Sequence, residues 1–208
     1  ATFVRSVLEG QPEPPKYFAE MKRINKVGPA PFDADHRPPT AGLAELREAL
    51  ASSAPVVDTR MAEAFALRHV AGTINIPLNK SFNTWAGWFL PFDRNFWLIV
   101  DRASVDEAVR ELAMIGLDRV AGVMPMSVID AWAAGGGATG SVHQIDPAQL
   151  ANLLASGDAA VVDVRGESEW NEGHIAGTPN IPAGFVPDRV AELPRLRRRD
   201  ERSVPERG

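Results

Sequence analysis

The groups able to do chemistry in this chain are carboxylates, histidines and arginines, because cysteine is absent from all 208 positions. That absence removes disulfides, zinc–thiolate sites and thiol nucleophiles. The four histidines, His36, His69, His143 and His174, stand far apart, and none forms an HxH, HxxxH or HxxEH pair. No metal site and no other cofactor is therefore expected. One constellation does recur: Asp58, Arg60 and His69, then Asp163, Arg165 and His174 at the same spacing. A carboxylate, a guanidinium and an imidazole suit acid–base work or ligation. They equally suit loop fixation, in which the carboxylate accepts backbone amides and pairs with Arg while the His bonds a turn. Buried charges persist when paired, so the structural role is the expected one.

The constellation sits in an internal repeat. Residues 56–77 read VVDTRMAEAFALRHVAGTINIP and residues 161–182 read VVDVRGESEWNEGHIAGTPNIP, with a constant offset of 105 and no gap. Eleven of the 22 positions agree, Gly72/Gly177, Thr73/Thr178 and Asn75/Asn180 among them, so the chain carries two copies of one unit. The elements that position the constellation follow from apolar spacing. A helix precedes each copy, through Leu43, Leu46 and Leu50, and through Leu150, Leu153 and Leu154. Short strands follow at Val56–Val57 and Ala160–Val162, then an acidic helical turn, then the His-Val/Ile-Ala-Gly turn. The first copy continues with a buried strand, Phe96–Val100. Ser104 and Glu107 have capping-box spacing ahead of a helix running to about Ile115, where Gly116 ends it. A strand over Arg119–Val123 and a helix over Ser127–Ala134 complete the copy. Strands alternating with helices predict an α/β fold, doubly wound about parallel sheets.

The twice-present VVD-x-R…H-V/I-A-G-T-x-N-I-P signature resembles the rhodanese-like domain, over 40–134 in full and 141–208 in part. The segment GQPEPPKYFAEMKRINKVGP is similar to the one that joins a metallo-β-lactamase-fold hydrolase to a C-terminal rhodanese pair. That fused class resembles the persulfide dioxygenases and sulfurtransferases of bacterial sulfide metabolism. The hydrolase's metal-binding HxHxDH motif is absent here.

The resemblance implies a catalytic cysteine after the fourth strand, on a loop whose inward amides and following helix stabilise an anionic persulfide. In the first copy that loop is Asp101, Arg102, Ala103, Ser104, Val105 and Asp106. Asp101 stands at the nucleophile's position and Asp106 where an active loop often ends in arginine. An aspartate carries no transferable sulfur, and two carboxylates repel a sulfur oxyanion or phosphate. The first copy is thus expected to be a pseudo-enzyme. A cation held by Asp101 and Asp106 is the alternative, but two carboxylates are a thin set for calcium. In the second copy the position 105 residues after Asp101 is Glu206, in a chain of 208, so this copy is expected to be truncated before its loop and less stable, or covered by a partner.

Seven of the 17 prolines lie in the first 40 residues, which predicts an extended Pro-rich arm. Within it Tyr17, Phe18, Met21 and Ile24 would form one apolar face of a short helix, expected to dock on a metallohydrolase domain or a homo-oligomer partner. The run AAGGGATGS at 133–141 predicts a flexible connector. The expected division is a 1–39 arm, a 40–134 domain without nucleophile and a 141–208 partial domain.

The remaining features are weaker. Net charge is −5, which weighs against nucleic acid, and the basic run Arg195, Arg197, Arg198 and Arg199 reads as a solvated face. Trp85, Trp88, Phe89, Phe92, Phe96 and Trp97 read as core and lid packing, with a pocket or partner surface as the alternative. No apolar run reaches 18 residues and Ala1–Gly10 has no leader pattern, so a cytoplasmic protein that meets no membrane is expected. The function expected is a non-catalytic rhodanese-like region of a sulfur-metabolism protein, docking beside a metallohydrolase domain. The alternatives are a fragment of an active persulfide dioxygenase/sulfurtransferase whose metal site and Cys lie outside this chain, and an anion-binding module.

Overall fold

A computed structural model describes residues 17–28 and 37–194. The chain divides into two compact units, one within Pro14–Gln144 and one within Ile145–Gly208.

In the first unit, α1 (Tyr17–Val27) precedes α2 (Leu43–Ala51), β1 (Val56–Asp58), α3 (Ala62–Leu67), β2 (His69–Val70) and β3 (Ile74–Asn75). Then come α4 (Phe82–Phe89), β4 (Phe96–Ile99), α5 (Val105–Ala113), β5 (Val120–Met124), α6 (Val128–Ala134) and β6 (Thr139–Gly140). Four strands form a parallel sheet in the order β3-β1-β4-β5. Thr40 extends it by one bridge to Val123.

Because side chains alternate across a strand, neighbouring residues feed opposite faces. Val57 and Leu98 pack with Phe82, Ala86 and Leu90 of the α4 segment and Ala108 and Leu112 of α5. Val56 and Ile99 pack with Leu46 and Ala49 of α2 and Val128 and Ile129 of α6. The mixed α/β class predicted from the alternation of strands and helices is the fold observed, a parallel sheet covered on both faces.

Several local expectations need correction. Ser104 precedes α5 but its side chain makes no capping bond; a 3-10 turn, Arg102–Ser104, comes first and Asp101 takes the cap. The helix also stops at Ala113, with Gly116 in the left-handed region at φ 77°. The glycine-rich run is ordered against the first unit. Thr139–Gly140 pairs antiparallel with His69–Val70, and the Trp132 indole donates to the Ala138 carbonyl at 2.9 Å. The boundary between units therefore falls after Gln144 and not within 134–141.

The α1 face also finds cover inside its own unit. Tyr17 lies over Gly87, Ile24 over Gly116, and Met21 packs on the α4/α5 side of the core. Phe18 alone of the four is directed outward, 52% exposed. Both glycines leave room that a Cβ would fill.

The second unit holds α7 (Pro147–Ser156) and α8 (Glu167–Glu172), followed by 3-10 turns over Ala183–Asp188 and Val190–Glu192. Asp146 caps α7 by accepting from the Gln149 amide at 2.8 Å, and Gly157 ends it at φ 69°. The strand expected at Ala160–Val162 is not formed; one parallel bridge, Asp163 to Asn180, stands in its place. Among the described residues it has no second neighbour such as β4 provides for β1.

Candidate functional site: two loop clasps and an acidic turn

The repeated residues build the same clasp twice. At the end of β1, Asp58 accepts from the Arg60 backbone amide at 3.1 Å and from its guanidinium at 2.6–3.0 Å. The guanidinium reaches on to the Arg68 carbonyl at 2.8 Å. Asn75 closes the clasp by donating to the Asp58 and Arg60 carbonyls at 2.9 and 2.8 Å. His69 donates from Nδ1 to the Phe65 carbonyl at 2.9 Å and stacks on the Phe65 ring. Thr73 bonds the Val70 carbonyl, and Gly72 turns the chain at φ 92°.

The second unit repeats each contact 105 residues on. Asp163 accepts from Arg165, whose guanidinium reaches the Gly173 carbonyl at 2.8 Å. Asn180 donates to the Asp163 and Arg165 carbonyls, and Thr178 to that of Ile175. His174 bonds the Trp170 carbonyl and stacks on the Trp170 ring, and Gly177 has φ 82°. In this arrangement the hydrogen bonds of the motif run to backbone or between its own Asp and Arg. Asn75, Asn180, Thr73 and Thr178 also belong to the clasp, and their identity across the repeat is the sequence signal for them.

The clasps differ in burial. The Asp58 side chain is fully buried and Arg60 is 19% exposed, whereas Arg165 is 45% exposed. Hydrogen bonds from the Arg165 guanidinium, then from its backbone amide, hold the Asp163 carboxyl below the ordinary carboxylate range. A carboxyl depressed in the folded state stabilises above its unfolded value and loses that contribution as pH falls through the folded one. The second clasp should therefore weaken progressively below about pH 4. Titration of the Asp163 carboxyl carbon by NMR, with the Arg165 Nε–H signal lost in parallel, checks this; independent midpoints would contradict it.

The loop after β4 lies at the carboxyl end of the sheet. Asp101, Arg102 and Ala103 are exposed, and Asp101 accepts from the Ala103 amide at 2.9 Å. Ser104 and Val105 are half-buried at the start of α5. Asp106 is bound by Arg37 at 2.6 Å in an exposed pair. So Asp101 takes up a turn amide, and Asp106 is partly neutralised by the segment leading into Thr40. Among the described residues no group of three or more His, Asp or Glu could hold a metal ion.

The other predicted groups are dispersed. Phe96 is core, while Trp85 is partly exposed and stacks on Phe89 at 5.8 Å. His143 is exposed; His36 and Arg195, Arg197, Arg198 and Arg199 lie outside the described residues. No helix is long and apolar enough to cross a membrane, among the described residues.

Comparison with known proteins places this geometry. The rhodanese-like domain family matches residues 146–204. A metallo-β-lactamase from Staphylococcus aureus is 34% identical, with TM-score 0.51, over 60% of this chain and 34% of its own. A single-domain sulfurtransferase from Saccharomyces cerevisiae is 21% identical, with TM-score 0.40, over 51% of this chain and 96% of its own. An HTH-type transcriptional regulator of Mycobacterium tuberculosis is 43% identical over 49 residues, which are 24% of this chain and 22% of the regulator. The chain thus spans only about a third of the metallo-β-lactamase and less of the regulator. Residues 146–204 match the rhodanese-like domain family, and the first unit has a mixed α/β architecture with a parallel sheet.

Proposed function

We infer that both units are rhodanese-like and that the first is a non-catalytic, structural member of a sulfur-metabolism protein. The observation that carries this reading is the residue following β4 and its flank. Sulfur transfer needs a thiolate to accept the sulfane sulfur, and this chain has none. Asp101 instead caps a tight turn and adds a negative charge where an anionic donor would approach, while the charge of Asp106 is partly offset by Arg37. The Asp101 charge likewise disfavours an anion-binding module. The role left to the first unit is to dock beside a metallohydrolase domain or a second subunit, a reading supported by the 34% identity with a metallo-β-lactamase. Docking would use Phe18, since Tyr17, Met21 and Ile24 are already engaged within the first unit.

A second reading is that active groups lie in polypeptide outside this chain. It is favoured by the share of the metallo-β-lactamase left unmatched, since the likeness covers 34% of that protein. A sulfur-transfer assay tests the first reading. The chain, given thiosulfate and cyanide, should release thiocyanate no faster than the protein-free blank. Transfer above blank by the 208-residue chain would sink the pseudo-enzyme. Co-elution with a separately produced metallo-β-lactamase-fold domain on sizing, lost in Phe18→Ser, is the expected sign of docking.

A further inference from the structure

We propose that the open edge of Val161–Asp163 is an interaction surface that accepts a parallel, apolar β-strand from a partner polypeptide. The first repeat shows what covers this edge. There β1 is flanked on both sides, by β3 and by β4. The β4 side is held by the Trp97 amide donating to the Pro55 carbonyl at 2.9 Å and the Thr59 amide donating to the Ile99 carbonyl at 3.1 Å. The corresponding groups, 105 residues on, are the Ala160 carbonyl and the Val164 amide. Among the described residues neither has a hydrogen-bond partner. The opposite edge is complete: Ile181 donates to the Asp163 carbonyl, Ala183 to that of Val164, and Asp163 to that of Pro179. Among the described residues, the second repeat is therefore built to the same register and open on this side.

Side-chain burial tells the same story. Val56, Val57 and Val70 are fully buried, while their counterparts Val161 and Val162 are half-buried and Ile175 is 42% exposed. Val164 is 48% exposed. The edge carries no proline and no lysine in Ala160–Val164, two residues that discourage pairing. Strand addition to such an edge combines main-chain bonds with side-chain pockets.

The chemistry of the occupant follows from the first repeat, where Phe96 and Leu98 of β4 are fully buried in the core on the α4/α5 face of the sheet. The chain's own segment at the same offset is Glu201-Arg202-Ser203-Val204, outside the described residues. Glu201 and Ser203 would fall at the Phe96 and Leu98 positions, and burying an unpaired carboxylate there is costly. The chemistry asks for a run of large apolar residues like Phe-Trp-Leu-Ile, and within the described residues that run is already committed to β4.

The test uses the full chain and a peptide of its own β4 with flanks, Arg-Asn-Phe-Trp-Leu-Ile-Val-Asp-Arg. Amide exchange is read residue by residue. With saturating peptide the Val164 amide should slow about ten-fold, amides of 56–59 should not change, and a scrambled peptide should do nothing. Val164→Pro, which removes the donating N–H, should abolish binding; retention of the Arg165 Nε–H signal reports that its clasp survives. Val161→Lys, which keeps the amide but places a charge on the edge, should weaken binding independently. No slowing at saturation overturns the proposal. So does protection already present in the dilute free chain, or protection that rises with chain concentration alone, which would assign the edge to the chain itself or to a second copy.

Discussion

Replacing Asp58 by alanine should cost about 3–5 kcal/mol of stability, enough to unfold much of a marginally stable unit. Asp58 is fully buried and accepts bonds from the amide and guanidinium of Arg60, itself mostly buried. Removing the carboxylate strands that guanidinium among apolar strands without a counter-ion. It also frees the Arg60 backbone amide. The cost is the penalty of an uncompensated charge, not the worth of the pair, so a double change that removes Arg60 as well should recover part of the loss. The molecule contains its own control. Asp163 makes the same bonds, but Arg165 is 45% exposed and can turn to water once its partner is gone. Asp163→Ala should therefore destabilise its unit by distinctly less. Urea unfolding, followed by amide exchange in each unit separately, measures both changes. Equal losses at the two sites would refute burial as the source of the difference.

How much of this was legible beforehand varies with the range of the interaction. The clasp could be read because every member lies within one 22-residue repeat and recurs 105 residues on. The faces of α2, α5 and α7 were legible from apolar spacing, and β4 from its unbroken apolar run. What could not be read was pairing between distant segments. The glycine-rich run predicts flexibility, yet Gly140 lies against the His69 ring, where a Cβ would come within 2.5 Å of Nε2. Its glycine serves close approach, and nothing local announces that. Likewise Ser104 has the right spacing for a capping box, but Asp101 reaches a turn amide first. Val161–Val162 has the composition of a strand, and composition cannot supply a neighbour to pair with. The α1 face was visible as apolar, while its destination depended on Gly87 and Gly116, two single residues in distant elements.

Gly122 carries the same lesson into a second large effect. It stands in β5 opposite Trp97 of β4, in the four-strand sheet. A Cβ there would lie 2.5 Å from the Trp97 ring and 2.9 Å from the Pro39 carbonyl oxygen. Neither neighbour yields easily: one is a rigid indole, the other backbone. The Pro39 oxygen also accepts from the Val123 amide at 2.9 Å, and Ala41 donates back to the Val123 carbonyl at 2.8 Å. Gly122→Ala should therefore push Trp97 off its face, pry the Thr40 bridge from β5, and cost about 1–3 kcal/mol as overpacking. The two contacts are separable. Adding Trp97→Val to Gly122→Ala removes the ring contact and leaves the carbonyl one, so the double variant should lose less than the sum of the singles. Its Ala41 and Val123 amides should still exchange faster than in the parent chain. A Gly122→Ala protein within about 0.5 kcal/mol of the parent, the range of an ordinary surface change, would mean that the strands part more readily than their packing implies.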